Sequence, residues 1–353
     1  MSGGVDSSAA AAVLMKEYDV AGVTMKLFTN DDIKLDDKKT CCSLDDVEDA
    51  RYAAYKLGIE HYVFQFGDKF KECVIDKFNN AYINGLTPNP CIECNRHIKF
   101  EALMHRAEVL GYDCIATGHY VRRRFDEVSG RYQLLKGLDP SKDQSYVLYG
   151  MTQEQLGRTL FPIGELTKAQ TRVLAAEHGL MNANKPDSQD ICFIPDGDYA
   201  KFIESYTGIK FPKGNFIDKN GRILGTHSGI IRYTIGQRKG LGIALGAPAY
   251  VLSKNIGDNT VTLGTNEELF SDTVIAEETN WVSVARPNES IRVEAKVRYN
   301  MKAQPAVLYP LEDGKIKVVF DMPQRAVTPG QALVCYSGEL LLCGGTIINE
   351  IQA

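Results

Sequence analysis

Near the start of the chain two glycines sit among serines, Ser2-Gly3-Gly4-Val5-Asp6-Ser7-Ser8, and the sequence runs straight on into the alanine-rich segment Ala9 to Lys16. No other stretch limits so strongly what the chain can become. Adjacent glycines reach backbone angles closed to other residues and leave their amide N–H groups bare. A helix starting just after them turns its unpaired N–H groups and positive dipole end toward the same spot. Ser2, Ser7 and Ser8 add hydroxyl donors. The product is a seat for phosphate. It is not the mononucleotide loop ending in Gly-Lys-Ser/Thr, because no lysine follows the glycines. A loop of this type is held by a buried parallel strand, and no residues before Met1 supply one. Met1 therefore reads as an internal residue of a longer sequence, from a misassigned start codon or a trimmed chain. Losing about five buried apolar residues would forfeit on the order of 10 kcal/mol, which rivals the ~5–15 kcal/mol that keeps a domain folded.

The next hundred residues alternate strand and helix. Val20–Phe28 reads as a strand and Leu44–Leu57 as a helix capped by Ser43 and stopped at Gly58. His61–Phe66 is the next strand, 98–110 a helix ending at Gly111, and 113–117 a strand that delivers Gly118-His119 at its carboxyl end. Such alternation predicts a parallel sheet with ligands over the C-terminal strand ends, where Met25 and Gly118 both fall. Arg122-Arg123-Arg124 reads as a hairpin strand or loop with a solvated face. Thr152 with Gln155 makes a capping-box pattern, and Thr167 opens a helix reaching His178. From about residue 200 glycine and proline become frequent, and 211–252 looks like turns and short strands. Gly240-Leu-Gly242-Ile-Ala-Leu-Gly246 is no dinucleotide fingerprint, since the spacing and the strand–helix context are wrong. From about Val274 the runs 291–298, 316–320, 332–336 and 344–348, separated by Asp313-Gly314 and Pro329-Gly330, predict a small barrel or sandwich.

The 353 residues allow two or three domains. A net charge of −5 argues against a generally basic nucleic-acid coat but leaves local basic patches open. No apolar run approaches the ~20 residues of a membrane span. The nine cysteines, without secretory context, imply a cytoplasmic protein with thiol chemistry rather than a disulfide framework.

Two of those cysteines lie in Asn89-Pro90-Cys91-Ile92-Glu93-Cys94-Asn95-Arg96. Two prolines enforce an extended approach, and Cys94 falls just ahead of a helix, beside Arg96. That setting predicts a lowered thiol pKa and more of the reactive thiolate. Half of a zinc site is the alternative, but no second Cys-x-x-Cys pair exists. A third cysteine, Cys192, sits in an apolar strand that follows the polar cluster Asp187-Ser188-Gln189-Asp190, which disfavours simple packing. Cys41, Cys42, Cys73, Cys114, Cys335 and Cys343 read as packing.

Ser-Gly-Gly-Val-Asp-Ser resembles the loop of the ATP pyrophosphatases. Together with Asn-Pro-Cys-Ile-Glu-Cys-Asn, Ala-Thr-Gly-His-Tyr at 116–120, Lys-Asp-Gln at 142–144, Asp-Ser-Gln-Asp-Ile-Cys-Phe-Ile and Tyr-Thr-Ile-Gly-Gln-Arg-Lys-Gly-Leu-Gly at 233–242, it follows the order seen in bacterial tRNA-specific 2-thiouridylases. The resemblance spans the whole chain after the missing strand. It implies an α/β fold: a parallel-sheet nucleotide-binding domain of the adenine nucleotide alpha hydrolase type over residues 1–200, a small central β-rich domain over 201–272, and a C-terminal β-barrel over 273–353. The implied activity is ATP-dependent adenylation of the wobble uridine 2-oxygen in tRNA, followed by persulfide sulfur transfer to give 2-thiouridine.

Carried over by position, the resemblance puts ATP on Met1, Ser2, Gly3, Gly4, Val5, Asp6, Ser7, Met25 and Gly118, with Mg²⁺ accompanying it and Asp6 among the metal's partners. Cys94 takes the role of nucleophile and Cys192 that of persulfide carrier, closing a disulfide on sulfur release. The target base region falls on Asn89, Pro90 and Cys91. Other tRNA contacts fall on His119, Lys142, Asp143, Gln144, Arg298, Tyr299 and Gln331. Arg96, Lys99, Arg232, Arg238, Lys239, Arg298 and Lys302 are candidates for phosphate contacts. Besides tRNA, a persulfide donor protein is the implied partner. Cys91 stands where some members carry Asp, so Cys91, Cys94 and Cys192 leave an iron–sulfur cluster open. The other rivals are an ATP pyrophosphatase acting on a small metabolite and an RNA-binding protein without catalysis.

Overall fold

The computed structural model describes residues 1–29, 44–185 and 191–349. The N-terminal region holds a pair of parallel strands, Ala21–Lys26 with Glu60–Gln65, and a second such pair, Ile115–Ala116 with Thr159–Leu160. The helix Val5–Leu14 buries Ala9, Ala10, Ala11 and Ala12, and these small side chains let it pack close against the helices Leu44–Leu57 and Lys168–Glu177. Gly58, at φ +68°, ends the first of these two neighbours as expected. Its expected cap Ser43, with Cys41 and Cys42, lies outside the described residues. The expected capping box of Thr152 with Gln155 forms, and Thr167, expected only to open a helix, makes a second one with Gln170.

The helix expected over 98–110 starts eight residues earlier. Asn89 caps it by accepting from the Cys91 amide at 3.1 Å, Pro90 takes the first position, and the helix runs on to Val109. Between Cys94 and Ala102 it winds in wide π-type turns. Cys94 is therefore inside the helix and not ahead of it.

A four-stranded sheet forms the centre of the chain, in the order Ile223–His227, Gly214–Ile217, Thr260–Gly264 and Tyr250–Asn255. It packs in one hydrophobic core with the helical run 67–83, with Phe193 and Ile194, and with a helix absent from the sequence reading, Tyr199–Thr207. That helix is nine residues long and buries only Ala200, Phe202 and Ile203, too brief a pattern to reveal itself by periodicity.

The C-terminal region is a closed barrel of the six antiparallel strands Phe270–Trp281, Ile316–Arg325, Gln304–Pro310, Ile291–Lys296, Ala332–Ser337 and Leu340–Ile347, the last pairing back onto the first. Of the two architectures expected, a barrel or a sandwich, closure selects the barrel. The hairpin Val121–Asp126/Arg131–Lys136 extends the barrel sheet, with Leu135 opposite Leu340. Of its triple arginine only Arg124 is exposed as expected; the other two are turned inward. Arg122 Nε donates to the Lys136 carbonyl at 2.8 Å, and Arg123 donates to the carbonyls of Leu156 and Gly157 at 2.7 Å. No described helix is long and apolar enough to cross a membrane.

Candidate active site

The glycine pair behaves as its chemistry requires. Gly3 takes φ +70°, and a Cβ there would lie 2.6 Å from the Asp46 carbonyl oxygen. Gly4 is the N-cap of the first helix, with no side chain over the amides that follow. Ser7 Oγ accepts from the Ser2 amide at 3.0 Å and meets Ser2 Oγ at 3.3 Å, so both hydroxyls border the bare amides. Val5 contributes only its main chain, since its side chain is buried in the core. Ser8 is a structural residue: its buried hydroxyl donates to the Gly4 carbonyl and accepts from Asn182, which also holds the Gly3 carbonyl at 3.1 Å.

Gly118 abuts this loop. A Cβ on it would lie 2.7 Å from the Asp6 carbonyl carbon and 2.8 Å from the Ser7 nitrogen, so only glycine permits the approach. Met25 belongs to the strand Ala21–Lys26, whose Thr24 Oγ1 donates to the Met1 carbonyl at 2.7 Å. Loop, Met25 strand and Gly118 thus form one neighbourhood.

Asp6 does not stand open to a metal ion. Lys168 Nζ holds both its carboxylate oxygens, at 2.8 and 2.9 Å, and Tyr120 Oη donates to one of them at 2.8 Å. The Lys168 side chain is only 11% exposed, and its ammonium lies 5.7 Å from the Tyr120 ring centroid. Mg²⁺ does not fit at Asp6 in this arrangement. Lys168 lies in none of the quoted motifs, and Tyr120, though it closes Ala-Thr-Gly-His-Tyr, carries no local signal that ties it to Asp6 114 positions away.

In the helix that starts at Pro90, Cys91 is exposed and Cys94 half-buried against the large core. The lowered pKa expected for Cys94 is overturned: burial pushes its thiol up to about 11. Arg96, the expected activating cation, faces elsewhere. Its guanidinium bonds Glu93 at 3.3 Å, lies over the Tyr149 ring and packs on Gly150. Lys99 is the cation that acts on both Cys94 and Cys91, favouring their thiolates against the desolvation. Wide winding accounts for the exchange of roles. At about 82° per residue five positions make little more than one turn, whereas ordinary α-winding would carry the fifth residue to the far side.

Lys99 Nζ also meets His119 Nε2 at 3.4 Å, while His119 Nδ1 meets Thr117 Oγ1 at 2.9 Å. His119, expected to contact RNA, is instead buried, and desolvation holds its ring neutral by lowering its pKa well below 6.5.

Cys192 lies in a turn and not in the apolar strand expected; its polar neighbours Asp187 to Asp190 are outside the described residues. The next residue, Phe193, is wholly buried against the rings of Phe70, Phe78 and Phe202, with centroids 5.3–5.9 Å away. Cys192, Cys94 and Met25 all border that one core. Among the described residues no group of three His, Cys, Asp or Glu is gathered to hold a metal ion, so the three thiols do not fit an iron–sulfur cluster as arranged here. Of the cysteines read as packing, Cys335 and Cys343 are buried as expected and Cys73 is half-buried, but Cys114 is exposed.

Several expected RNA contacts are engaged within the protein. Asp143 accepts from the Gly137 and Ser145 amides, Gln144 from the Tyr120 amide, and Gln331 donates to the Thr87 carbonyl at 2.7 Å. Tyr299 Oη reaches the Asp143 carbonyl at 3.4 Å and keeps an exposed face. Lys142 is half-buried in the same loop. Arg298, a candidate phosphate contact, is engaged within the protein: its guanidinium donates to the Ala326 carbonyl, Thr328 Oγ1 and the Ile235 carbonyl, tying the barrel to a loop of the central region. Arg232 likewise pairs with Glu204 at 2.7 Å. Arg238, Lys239 and Lys302 are exposed.

Comparison with known proteins gives the same picture along the whole chain. Residues 1–196 match the family described as tRNA methyl transferase HUP domain, 200–265 the tRNA methyl transferase PRC-barrel domain, and 271–347 the aminomethyltransferase beta-barrel domain. The chain is 52% identical over 350 residues to the tRNA-specific 2-thiouridylase MnmA of Acetivibrio thermocellus, covering 98% of this chain and 97% of that one. Its counterpart in Clostridium acetobutylicum is 51% identical, with 98% of each chain covered, and that of Clostridioides difficile is 49% identical, with 99% and 97% covered.

Proposed function

The chain belongs to the tRNA-specific 2-thiouridylases, and on that premise we propose how its residues carry out the ATP-dependent transfer of sulfur to a tRNA uridine. ATP lies with its phosphates on the loop Met1–Ser7, its base side toward Met25 and Gly118. The bare amides and the helix dipole stabilise charge on the departing pyrophosphate. The 2-oxygen of the wobble uridine attacks the α-phosphorus, the bond to the β-phosphate breaks, and an adenylated base results.

A donor protein leaves a persulfide on Cys192. Its terminal sulfur attacks carbon 2 of the base and displaces AMP, after which the Cys94 thiolate attacks the Cys192 sulfur, frees the thiolated base and leaves a Cys94–Cys192 disulfide. Alternatively Cys94 attacks first and liberates hydrosulfide, which then displaces AMP. Either way two electrons, from two external thiols or one dithiol, reopen the disulfide. A divalent cation travelling with ATP would supply further charge neutralisation; no step above depends on where it binds.

The observation that carries this reading is the shared core: Cys94, Cys192 and Met25 border one hydrophobic cluster although the thiols are 98 positions apart in sequence. Asn89, Pro90 and Cys91 begin the same helix as Cys94, which suits them to the target base. Lys142 and Tyr299 are neighbours of one loop, beside Asp143 and Gln144, and the exposed Arg238, Lys239 and Lys302 suit phosphates. The target base leaves its stack to reach the nucleotide. The domains run over about 1–200, 201–272 and 273–353. The test is nucleoside mass spectrometry of tRNA incubated with ATP and persulfide. Cys94→Ser and Cys192→Ser should each abolish 2-thiouridine while keeping tRNA binding, and full activity in either variant refutes the scheme.

A further inference from the structure

We propose that Gln331 is a positioning residue for sulfur transfer: reaching out from the barrel, its side-chain amide holds the Thr87 carbonyl and so fixes where the helix that carries Cys91 and Cys94 begins. The inference rests on the reading of Cys94 as the nucleophile and of Asn89, Pro90 and Cys91 as the side that meets the target base.

The start of that helix has little hold of its own. Pro88 and Pro90 carry no N–H to give, and the Thr87 hydroxyl is buried with no hydrogen-bond partner among the described residues. Both main-chain groups of Thr87 go to the barrel instead. Its amide donates to the Pro329 carbonyl at 3.0 Å, and its carbonyl accepts from Gln331 Nε2 at 2.7 Å. Gly330, between these two partners, lets the chains meet: a Cβ on it would lie 2.9 Å from the Thr87 nitrogen and 3.0 Å from Leu86 Cβ. From Thr87 the path to the sulfur is short and stiff. Proline rings fix φ on either side of Asn89, which stands extended (φ −109°, ψ 100°) and caps the helix through the Cys91 amide. A shift at Thr87 is therefore passed to Cys91, and three residues later to Cys94, instead of being absorbed on the way.

The holder is itself held. The Gln331 amide donates to the Thr328 carbonyl at 3.2 Å, its carbonyl accepts from the Ile347 amide at 2.8 Å, and the Gly330 amide donates to the Ile347 carbonyl at 2.9 Å, which pins the loop to the last barrel strand. On the other side Arg298 donates to Thr328 Oγ1 at 2.8 Å and to the Ala326 carbonyl at 2.6 Å. A glutamine suits the role because the partner is a carbonyl: an amide donates to it without adding a charge that RNA phosphates would draw away. The barrel thus does more than hold RNA. It fixes the thiol helix from 244 positions further along the chain.

Steady-state thiolation of tRNA with ATP and persulfide, measured beside tRNA binding, tests the assignment. In Gln331→Met, which removes the donor and keeps the length, kcat should fall about 10- to 100-fold, the loss that a displacement of about 1 Å brings, while the tRNA dissociation constant changes less than about twofold. Gly330→Ala, which pushes on the Thr87 main chain from the neighbouring residue, should reproduce that split. A raised dissociation constant with kcat kept would make Gln331 an RNA contact and overturn the proposal, as would unchanged kinetics in both variants. Should the variants fail to fold, hydrogen exchange on the native protein decides: the Thr87 amide should be protected as strongly as those of Gly330 and Ile347, and an unprotected Thr87 overturns the clamp. A native protein that forms no 2-thiouridine, or a fully active Cys94→Ser, defeats the thiol assignment itself and the proposal with it.

Discussion

Cys94 should be a slow nucleophile in the free protein. Its thiol has little water around it, because it lies along a helix whose face is pressed on the core that holds Phe70, Phe78 and Phe193. That desolvation raises it from the ordinary 9.0 to about 11, with Lys99 offsetting only a fraction of the effect. At pH 8 the thiolate fraction is then about a hundredfold below that of an unperturbed thiol. Alkylation by iodoacetamide, followed peptide by peptide in the mass spectrometer, measures this directly, with the exposed Cys114 as internal standard. Cys94 should react about a hundred times more slowly than an unperturbed thiol at pH 8, and its rate should climb about tenfold per pH step until near pH 11. Lys99→Met should slow it further, because the cation that favours the thiolate is gone, and Lys99→Arg should restore the wild-type profile. A Cys94 rate that levels off below pH 9, or is indifferent to Lys99→Met, would show that burial along this helix does not control the sulfur.

The remaining predictions use other regions of the same architecture. Gly118→Ala should abolish ATP binding without unfolding the barrel, since its Cβ would collide with the Asp6–Ser7 main chain; unchanged affinity by calorimetry would contradict the close approach. Phe193→Ala, removing a wholly buried ring beside Cys192, should cost about 3–5 kcal/mol in urea unfolding and lower sulfur transfer as well as stability. Arg298→Ala should lower the melting temperature by the loss of part-buried charged bonds worth about 1.5 kcal/mol each and leave the salt dependence of tRNA binding unchanged, whereas Arg238→Ala should flatten that dependence. Lys254 has a buried Nζ with no hydrogen-bond partner among the described residues, 6.0 Å from the Tyr82 ring centroid, and burial lowers it to about 8. The native state therefore binds this proton less tightly than the unfolded chain, so the penalty is full below about pH 8 and fades as pH rises toward 10.5. Lys254→Met should stabilise by about 1–3 kcal/mol at pH 7, with the gain shrinking by pH 10; equal stability at both values would refute it.

What could be read from the chain alone is what depends on neighbours in sequence. The glycine pair before an alanine run dictates a bare-amide helix start, Thr-x-x-Gln dictates a capping box, and Gly58 after a periodic run dictates where a helix stops. Barrel strands announced themselves by β-branched runs between turn residues; that the sheet would close was implied by the family resemblance and not by the residue pattern. Tertiary structure decided the rest. Cys94 looked activated because sequence placed it near Arg96, but chemistry follows distance through space, and a few wide helical turns gave that place to Lys99 while the core withdrew water from the sulfur. Arg298 looked free because nothing adjacent claimed it, and three acceptors from two other regions of the chain did. Asp6 acquired Lys168 in the same way. Backbone geometry is local and is written in adjacent residues, whereas charge, desolvation and partner choice are settled only once distant segments share a packed interior.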